Sequence, residues 1–368
     1  MRKKFDEIFE DCTKLGTKIR TDEYHPNGKH PIIDQGQKMV VGFTDLEDGL
    51  FDAVPAIVFG DHTRIIKYVD CPFFLGADGV KVLRSKVLNA NYRYLYYALK
   101  NAKIPNTGYN RHYKWLKELE IEYPPIDQQV KTVKVLDKVE SIIYNRQNQL
   151  QKLDELVKAR FVELFGDMLS NDMAWQESTL DTLADVVSGI TKGRKIRETE
   201  LIEVPYMAVS NVKDGYIDWT TVKTIMATKQ EIEQYRLLPY DVLMTEGGDP
   251  DKLGRGSVIT KPLKNSIHQN HIFRVRLQTE RILPVYFSEY LQHQKAKRYF
   301  LGCAKQTTGI ASINMKQLRA LPVLVPPLKL QEQFAAFVNQ TEKSKVAVQK
   351  SLDEAQLLFD SLMQQYFE

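Results

Sequence analysis

The chain has 368 residues, of which 43% are apolar and 27% charged, with a formal net charge of +4. That length exceeds one ordinary core and predicts two or more domains of globular composition. No apolar run approaches the ~20 residues of a membrane span, and residues 1–20 lack an apolar signal core. Neither a membrane nor secretion is therefore expected, and the expected compartment is the cytoplasm. Cys12, Cys71 and Cys303 are scattered and odd in number, which suits reduced thiols and neither a disulfide framework nor a zinc site. The mild positive charge permits a nucleic-acid partner without arguing for one.

Residues 1–123 predict a first mixed α/β block. An amphipathic helix over Phe5–Leu15 leads in. Short strands rich in Val and Ile, bounded by Gly or Asp, follow at Pro31–Ile33, Met39–Phe43, Ala56–Phe59, Arg64–Val69 and Val80–Leu83. Asn91–Lys100 reads as a helix whose tyrosines, Tyr92, Tyr94, Tyr96 and Tyr97, fall at core spacing. After the loop IPNTGYN come a short helix, His112–Leu119, and a strand, Glu120–Tyr123.

Residues 124–166 open with Pro124-Pro125 and contain no Gly before Gly166. Proline suits a helix start and glycine a helix end, so the segment predicts one long helix. Leu136, Val139, Ile143, Leu150, Leu153, Val157, Phe161 and Leu164 recur at alternating threes and fours, a narrow seam that needs another helix. Arg146 is a polar break in it.

Residues 167–325 repeat the order of the first block. A glycine loop SGITKGRK follows Leu180–Val187. Strands are expected at Tyr206–Val209, Thr221–Ile225, Val242–Thr245, Ser257–Thr260 and His271–Leu277. Then come an aromatic helix (Val285–Leu301), a polar loop, a short helix (Asn314–Leu321) and a strand (Val323–Val325). Residues 326–368 repeat the long helix from Pro326-Pro327, 202 residues after the first double proline. Phe334, Val338, Val348, Leu352, Ala355, Phe359, Leu362 and Tyr366 form its seam, with Thr341 and Lys345 as polar breaks. The tails LDELVKARFVELF and LDEAQLLFDSLM are alike. The chain reads as an internal duplication whose long helices partner each other. At ~1.5 Å per residue each spans roughly 55–60 Å.

No catalytic or metal constellation emerges. Gly189 to Gly193 has the wrong spacing for a phosphate-binding loop. The acids in Glu246–Lys252 fall in a turn between strands, where a metal nuclease would place them on adjoining strands. His268 and His271 are three apart, which puts them on opposite faces of a strand. Both blocks do carry polar loops with chemistry suited to DNA. Arg and Lys neutralise phosphate or grip guanine, Asn and Gln pair with adenine, and Gly lets the backbone approach. Polar surface loops are also ordinary. The candidates in the first block are His62, Arg64, Tyr109, Arg111, His112 and Lys114. In the second they are Lys192, Arg194, Lys195, Asn211, Gln269, Asn270, Lys305 and Gln306. Two such blocks on a stiff spacer fit the reading of two separated half-sites. On residues alone, a self-sufficient DNA-modifying or DNA-cleaving enzyme and a coiled-coil scaffold without DNA remain alternatives.

Ordered motifs carry a resemblance over nearly the whole chain. They are DQGQ (34–37), FGDHTR (59–64), GADGVKVL (76–83), YLYYALK (94–100) and GYNRHYKWLKE (108–118) in the first block. In the second they are SGITKGR (188–194), YMAVSNV (206–212), LPYDVLMT (238–245) and the run from NMKQL to PVLVPP (314–327). Each double proline is followed by a pair, Gln128-Gln129 or Glu332-Gln333, then the long helix. With Leu153–Gly166, these resemble the DNA-specificity subunit of type I restriction–modification systems.

The resemblance implies an α+β fold: two mixed α/β target recognition domains, 1–123 and 167–325, separated by two long helices, 124–166 and 326–368, packed as an antiparallel coiled coil. It implies a non-catalytic chain whose domains each read half of a bipartite site on double-stranded DNA. The helices would set the half-site spacing and dock two methyltransferase subunits that use S-adenosylmethionine. Restriction subunits that use ATP and magnesium to translocate and cut would join them. No cofactor or metal is expected in this chain itself. Arg146, Thr341 and Lys345 are candidates for fixing the antiparallel register.

Overall fold

The computed structural model describes all residues except 77, 109, 196–199, 214, 250–252, 308–309 and 368. Among the described residues no helix is long and apolar enough to cross a membrane. Two compact units emerge: residues 1–148 with 349–368, and residues 149–348. Each long helix contributes to both units.

The first unit is built on a four-stranded antiparallel sheet, ordered Phe9–Asp11, Val80–Ser85, Ala56–Gly60, Ile66–Val69. Ala56–Gly60 is buried throughout. In a second sheet His30–Ile33 pairs antiparallel with Gly42–Thr44 and parallel with Phe74–Leu75. A third pairs Arg2–Lys4 with Glu120–Glu122. The expected lead-in helix over Phe5–Leu15 is not continuous. It is a single turn, Phe5–Ile8, then the strand Phe9–Asp11 and a 3-10 turn, because Phe9 to Asp11 pair with Leu83 to Ser85. Long-range pairing overrides local helix pattern there.

The second unit repeats all three sheets in the same order. The four strands are Ala184–Ser188, Ile272–Leu277, Val242–Thr245, Gly256–Val258. Ile202–Met207 pairs antiparallel with Lys223–Ala227 and parallel with Ile267–His268. Gln176–Thr179 pairs with Pro322–Val325. An added sheet joins Gly247–Gly248, Ile310–Ser312 and Lys305–Thr307. The aromatic helix expected over Val285–Leu301 is two helices, Pro284–Tyr290 and Gln294–Cys303, broken at Leu291–His293.

The long helices run Ile126–Phe165 and Leu328–Phe367, 40 residues each. Every residue of one has a counterpart 202 positions on in the other. Both begin with the same joint. Gln129 and Gln331 are buried, and each Nε2 donates to the first proline's carbonyl, Pro124 O or Pro326 O, at 2.8 Å. Gln331 thus matches Gln129, which corrects the expected pairing of Gln128-Gln129 with Glu332-Gln333. The latter two side chains are exposed.

In the first unit the early part of the first long helix (Leu136, Val139) packs in one core with Phe359 and Met363 of the second. In the second unit Val157 and Phe161 pack with Phe334, the two rings edge-on at 5.3 Å. Early residues of one helix thus meet late residues of the other, the order of an antiparallel pair. The helix Tyr92–Lys100 docks on the first long helix through charge. Arg93 Nη2 donates to Glu140 at 2.9 Å, Tyr97 OH to Asp137 at 2.7 Å, and Lys100 to Glu140 at 2.9 Å. Tyr94 and Tyr97 lie beneath, in the core.

Candidate nucleic-acid interface

In the first unit four loops that are distant in sequence are tied into one cluster. Thr63 Oγ1 donates to Gln35 O at 2.6 Å, His62 N to Gln35 Oε1 at 3.2 Å, and Gln35 Nε2 to Asp78 O at 2.9 Å. Asp61 N donates to Gly79 O at 2.7 Å and Asp61 O accepts from His112 N at 2.8 Å. Asp61 is buried, and its carboxylate accepts from Tyr113 N at 2.7 Å. Gly60 and Gly79 are required by close approach, since a Cβ would sit 2.1 Å from Thr63 Oγ1 or 2.7 Å from His62 Cδ2. Buried Lys67 clamps the 34–38 loop, donating to Asp34 O at 2.8 Å and Lys38 O at 2.6 Å. Burial lowers its pKa against the pull of Asp34.

On this cluster Arg111 and Lys114 are exposed, with Lys114 over the Trp115 ring. Asp78, bonded to Lys18, has a lowered pKa. His62 Nδ1 lies 3.2 Å from Asn110 O. Arg64 is half-buried in the left-handed region (φ 62) and donates to Ile104 O at 3.3 Å. His112 is a correction. It is fully buried with Nδ1 2.9 Å from Asp61 O, so it secures the chain just ahead of the helix Tyr113–Lys117 and faces no ligand. Tyr109 lies outside the described residues.

The second unit forms its cluster at the same topological place. Ile190 N donates to His268 O, and Asn270 N to Ile190 O, both at 3.0 Å. Ser188 Oγ donates to Asn270 O at 2.6 Å, and Gln269 Oε1 accepts from Val209 N at 3.3 Å. Gly189 is obligatory, because a Cβ would lie 1.9 Å from His268 O. Glu246 N donates to His271 O at 3.0 Å, and Glu246 O accepts from Ile313 N at 2.9 Å.

Lys192, Lys195 and Lys305 are exposed here, and Gln269 and Asn270 are half-buried. Asn211 is corrected by its burial, whereas Arg194 is half-buried with its guanidinium engaged. Asn211 is fully buried and donates from Nδ2 to Asp218 O at 3.0 Å, so it closes its own turn. Arg194 is paired bidentately with Glu231, each shifting the other's pKa toward the charged form. His268 is also internal; burial lowers its pKa to about 4. The side chain of Gln306, like residues 250–252, lies outside what is described. Among the described residues no group of three or more His, Cys, Asp or Glu could hold a metal ion. Residues the sequence reading missed are Gln35, Asp61, Lys67 and Glu246. Gln35 and Asp61 lay inside quoted motifs and Glu246 in a turn weighed only for metal chemistry, but their bonds are to residues far along the chain.

On the long helices Leu136, Val139, Val157, Phe161, Ala355 and Phe359 are buried. Ile143, Leu150, Leu153, Leu164, Val348, Leu352 and Leu362 are half-buried. Met363, outside the expected seam, is buried as well. Lys345 bonds across to Asp154 at 2.6 Å, whereas Thr341 Oγ1 donates to Phe337 O in its own helix at 3.0 Å.

The chain is 25% identical over 187 residues to a Methanocaldococcus jannaschii chain named for the MjaX type I restriction enzyme specificity subunit, covering 50% of this chain and 44% of that one. It is 21% identical over 258 residues to the EcoKI specificity subunit of Escherichia coli K12, covering 67% of this chain and 55% of that one. The chain thus spans about half the length of these relatives. Its fold matches the S subunit of a type I restriction-modification system from M. genitalium, with TM-score 0.61, 18% identity, and coverage of 100% of this chain and 96% of that one. The family model described as the type I restriction modification DNA specificity domain matches residues 1–155 and 173–355. With the same three sheets folded twice and the family model matched twice, each time running on into a long helix, the chain belongs to that family.

Proposed function

We propose that the chain is the DNA-specificity subunit of a type I restriction–modification enzyme, and that each unit reads one half of a bipartite site on double-stranded DNA. The observation that carries this is the duplicated loop cluster. Each unit ties its polar loops together at the same place by main-chain bonds, and leaves Arg111 and Lys114, or Lys192, Lys195 and Lys305, exposed there. Rigid loops holding exposed cations suit phosphate positioning around base readout.

In this reading the chain carries no chemistry. Methylation with S-adenosylmethionine belongs to two methyltransferase subunits docked on the long helices. ATP- and magnesium-dependent translocation and cleavage belong to restriction subunits, and the assembly works in the cytoplasm. Methylome sequencing of a host with and without the intact gene tests this. A bipartite methylated-adenine sequence that disappears with the gene is expected; a methylome that does not change sinks the reading.

A further inference from the structure

Strand register makes Asp61 and Glu246 equivalent. Ile57 faces Leu83 in the first sheet as Val242 faces Val275 in the second, and each acid follows four residues later. The main chain around them is the same knot. Each N–H donates across to the carbonyl of Gly79 or His271, and each C=O accepts from the segment ahead of the short helix. The side chains part company. Asp61 turns inward and caps Tyr113 N. Glu246 turns outward, 32% exposed, and is held by His271 Nδ1 at 2.6 Å. Asn270 Nδ2 lies 3.3 Å from His271 Nε2. With the amide donating to Nε2, the neutral ring carries its proton on Nδ1, facing Glu246.

A carboxylate offers about four acceptor sites, so the bond from His271 leaves capacity for another donor. Lys305 stands in register with Ser312, and Ser312 with Gly247. At ~4.8 Å per strand that places Lys305 about 10 Å from the residue after Glu246. A fixed negative charge on an edge built for DNA is repelled by phosphate and by the acceptors of guanine and thymine. It is favourable only against a base amino group, and cytosine N4 is the usual partner of Glu.

We infer that Glu246, oriented by His271, is a specificity-determining residue of the second unit, accepting from a base exocyclic amino group, cytosine N4 before adenine N6. This rests on the function proposed above. Its first-unit counterpart serves the fold instead.

The test is selection from a randomised duplex library by the full chain assembled with its partner subunits. Wild type, Glu246→Gln and His271→Ala are compared, and the unfolding midpoint of each is measured. Wild type should select two fixed half-sites. Glu246→Gln should lose roughly 10- to 100-fold discrimination at one base pair of one half-site. His271→Ala should loosen the same position less. A C·G pair there identifies cytosine as the partner, and an A·T pair adenine; either supports the inference. An unchanged preference at every position overturns it, as does loss of selection at many positions with unfolding midpoints unchanged. If wild type selects no bipartite sequence, the proposed function itself falls.

Discussion

Arg194 and Glu231 form a bidentate pair with both side chains about four-fifths buried, at 19% and 22% exposure. Arg194→Ala should therefore lower stability by about 1–3 kcal/mol in denaturant unfolding, the scale of losing a partner of a charged hydrogen bond. It should leave base preference in place. Arg111 and Lys192 stand exposed at the loop clusters and should behave in the opposite way. Replacing either with Ala should leave stability unaltered, weaken binding to all DNA sequences alike, and lower the salt slope of binding by about one. Titrations at several salt concentrations decide it.

His268 gives a pH signature. Burial holds its pKa at about 4, below the ordinary 6.5. The unfolded chain takes up a proton between about pH 6.5 and 4 that the folded chain refuses. Stability is therefore full above about pH 6.5 and falls toward pH 4, by on the order of 3 kcal/mol for this ring. His293, held near 4 by burial, adds in the same direction. Urea midpoints at pH 7 and 5 should differ less in His268→Gln than in wild type.

The element scale shows what a sequence can and cannot say. Both long helices were legible because double prolines, the missing glycine and the threes-and-fours seam are local signals. Their starts lie within two residues of the double prolines. The strand Phe9–Asp11 was not legible, because its apolar residues fit a helix until Val80–Ser85 arrives beside it. The loop motifs were visible one by one, but their convergence depends on bringing Gln35, Asp61, Asp78 and His112 together across the sheet. Polar composition also does not tell inside from outside. His112 and Asn211 looked like ligands for DNA and are ligands for the backbone. Phe161 is the element-level test of packing, stacked 5.4 Å from Tyr286 and edge-on to Phe334. Phe161→Ala should remove about 3–5 kcal/mol of stability from the second unit. Calorimetry that shows an unmoved transition would contradict that core.

For the whole molecule, the shared 202-residue register means that the two helices are one design used twice. If they are the spacer between reading heads, their length sets the gap in the DNA site. Inserting one heptad after Leu150 and another after Val348 adds about 10 Å to the pair. The methylated sequence should then keep both half-sites and gain about three base pairs between them. Altered half-sites with the old gap would refute the ruler.

Lys67 has a consequence for how such a chain can change. It grips the 34–38 loop by carbonyl oxygens at Asp34 and Lys38, groups that every amino acid possesses. That grip is thus indifferent to the identity of the residues at 34 and 38, while the side chain of Gln35 separately ties the loop to His62 and Asp78. On the proposed function, exposed positions such as Gln37 and Lys38 can then change while Lys67 keeps the main chain beneath them in place.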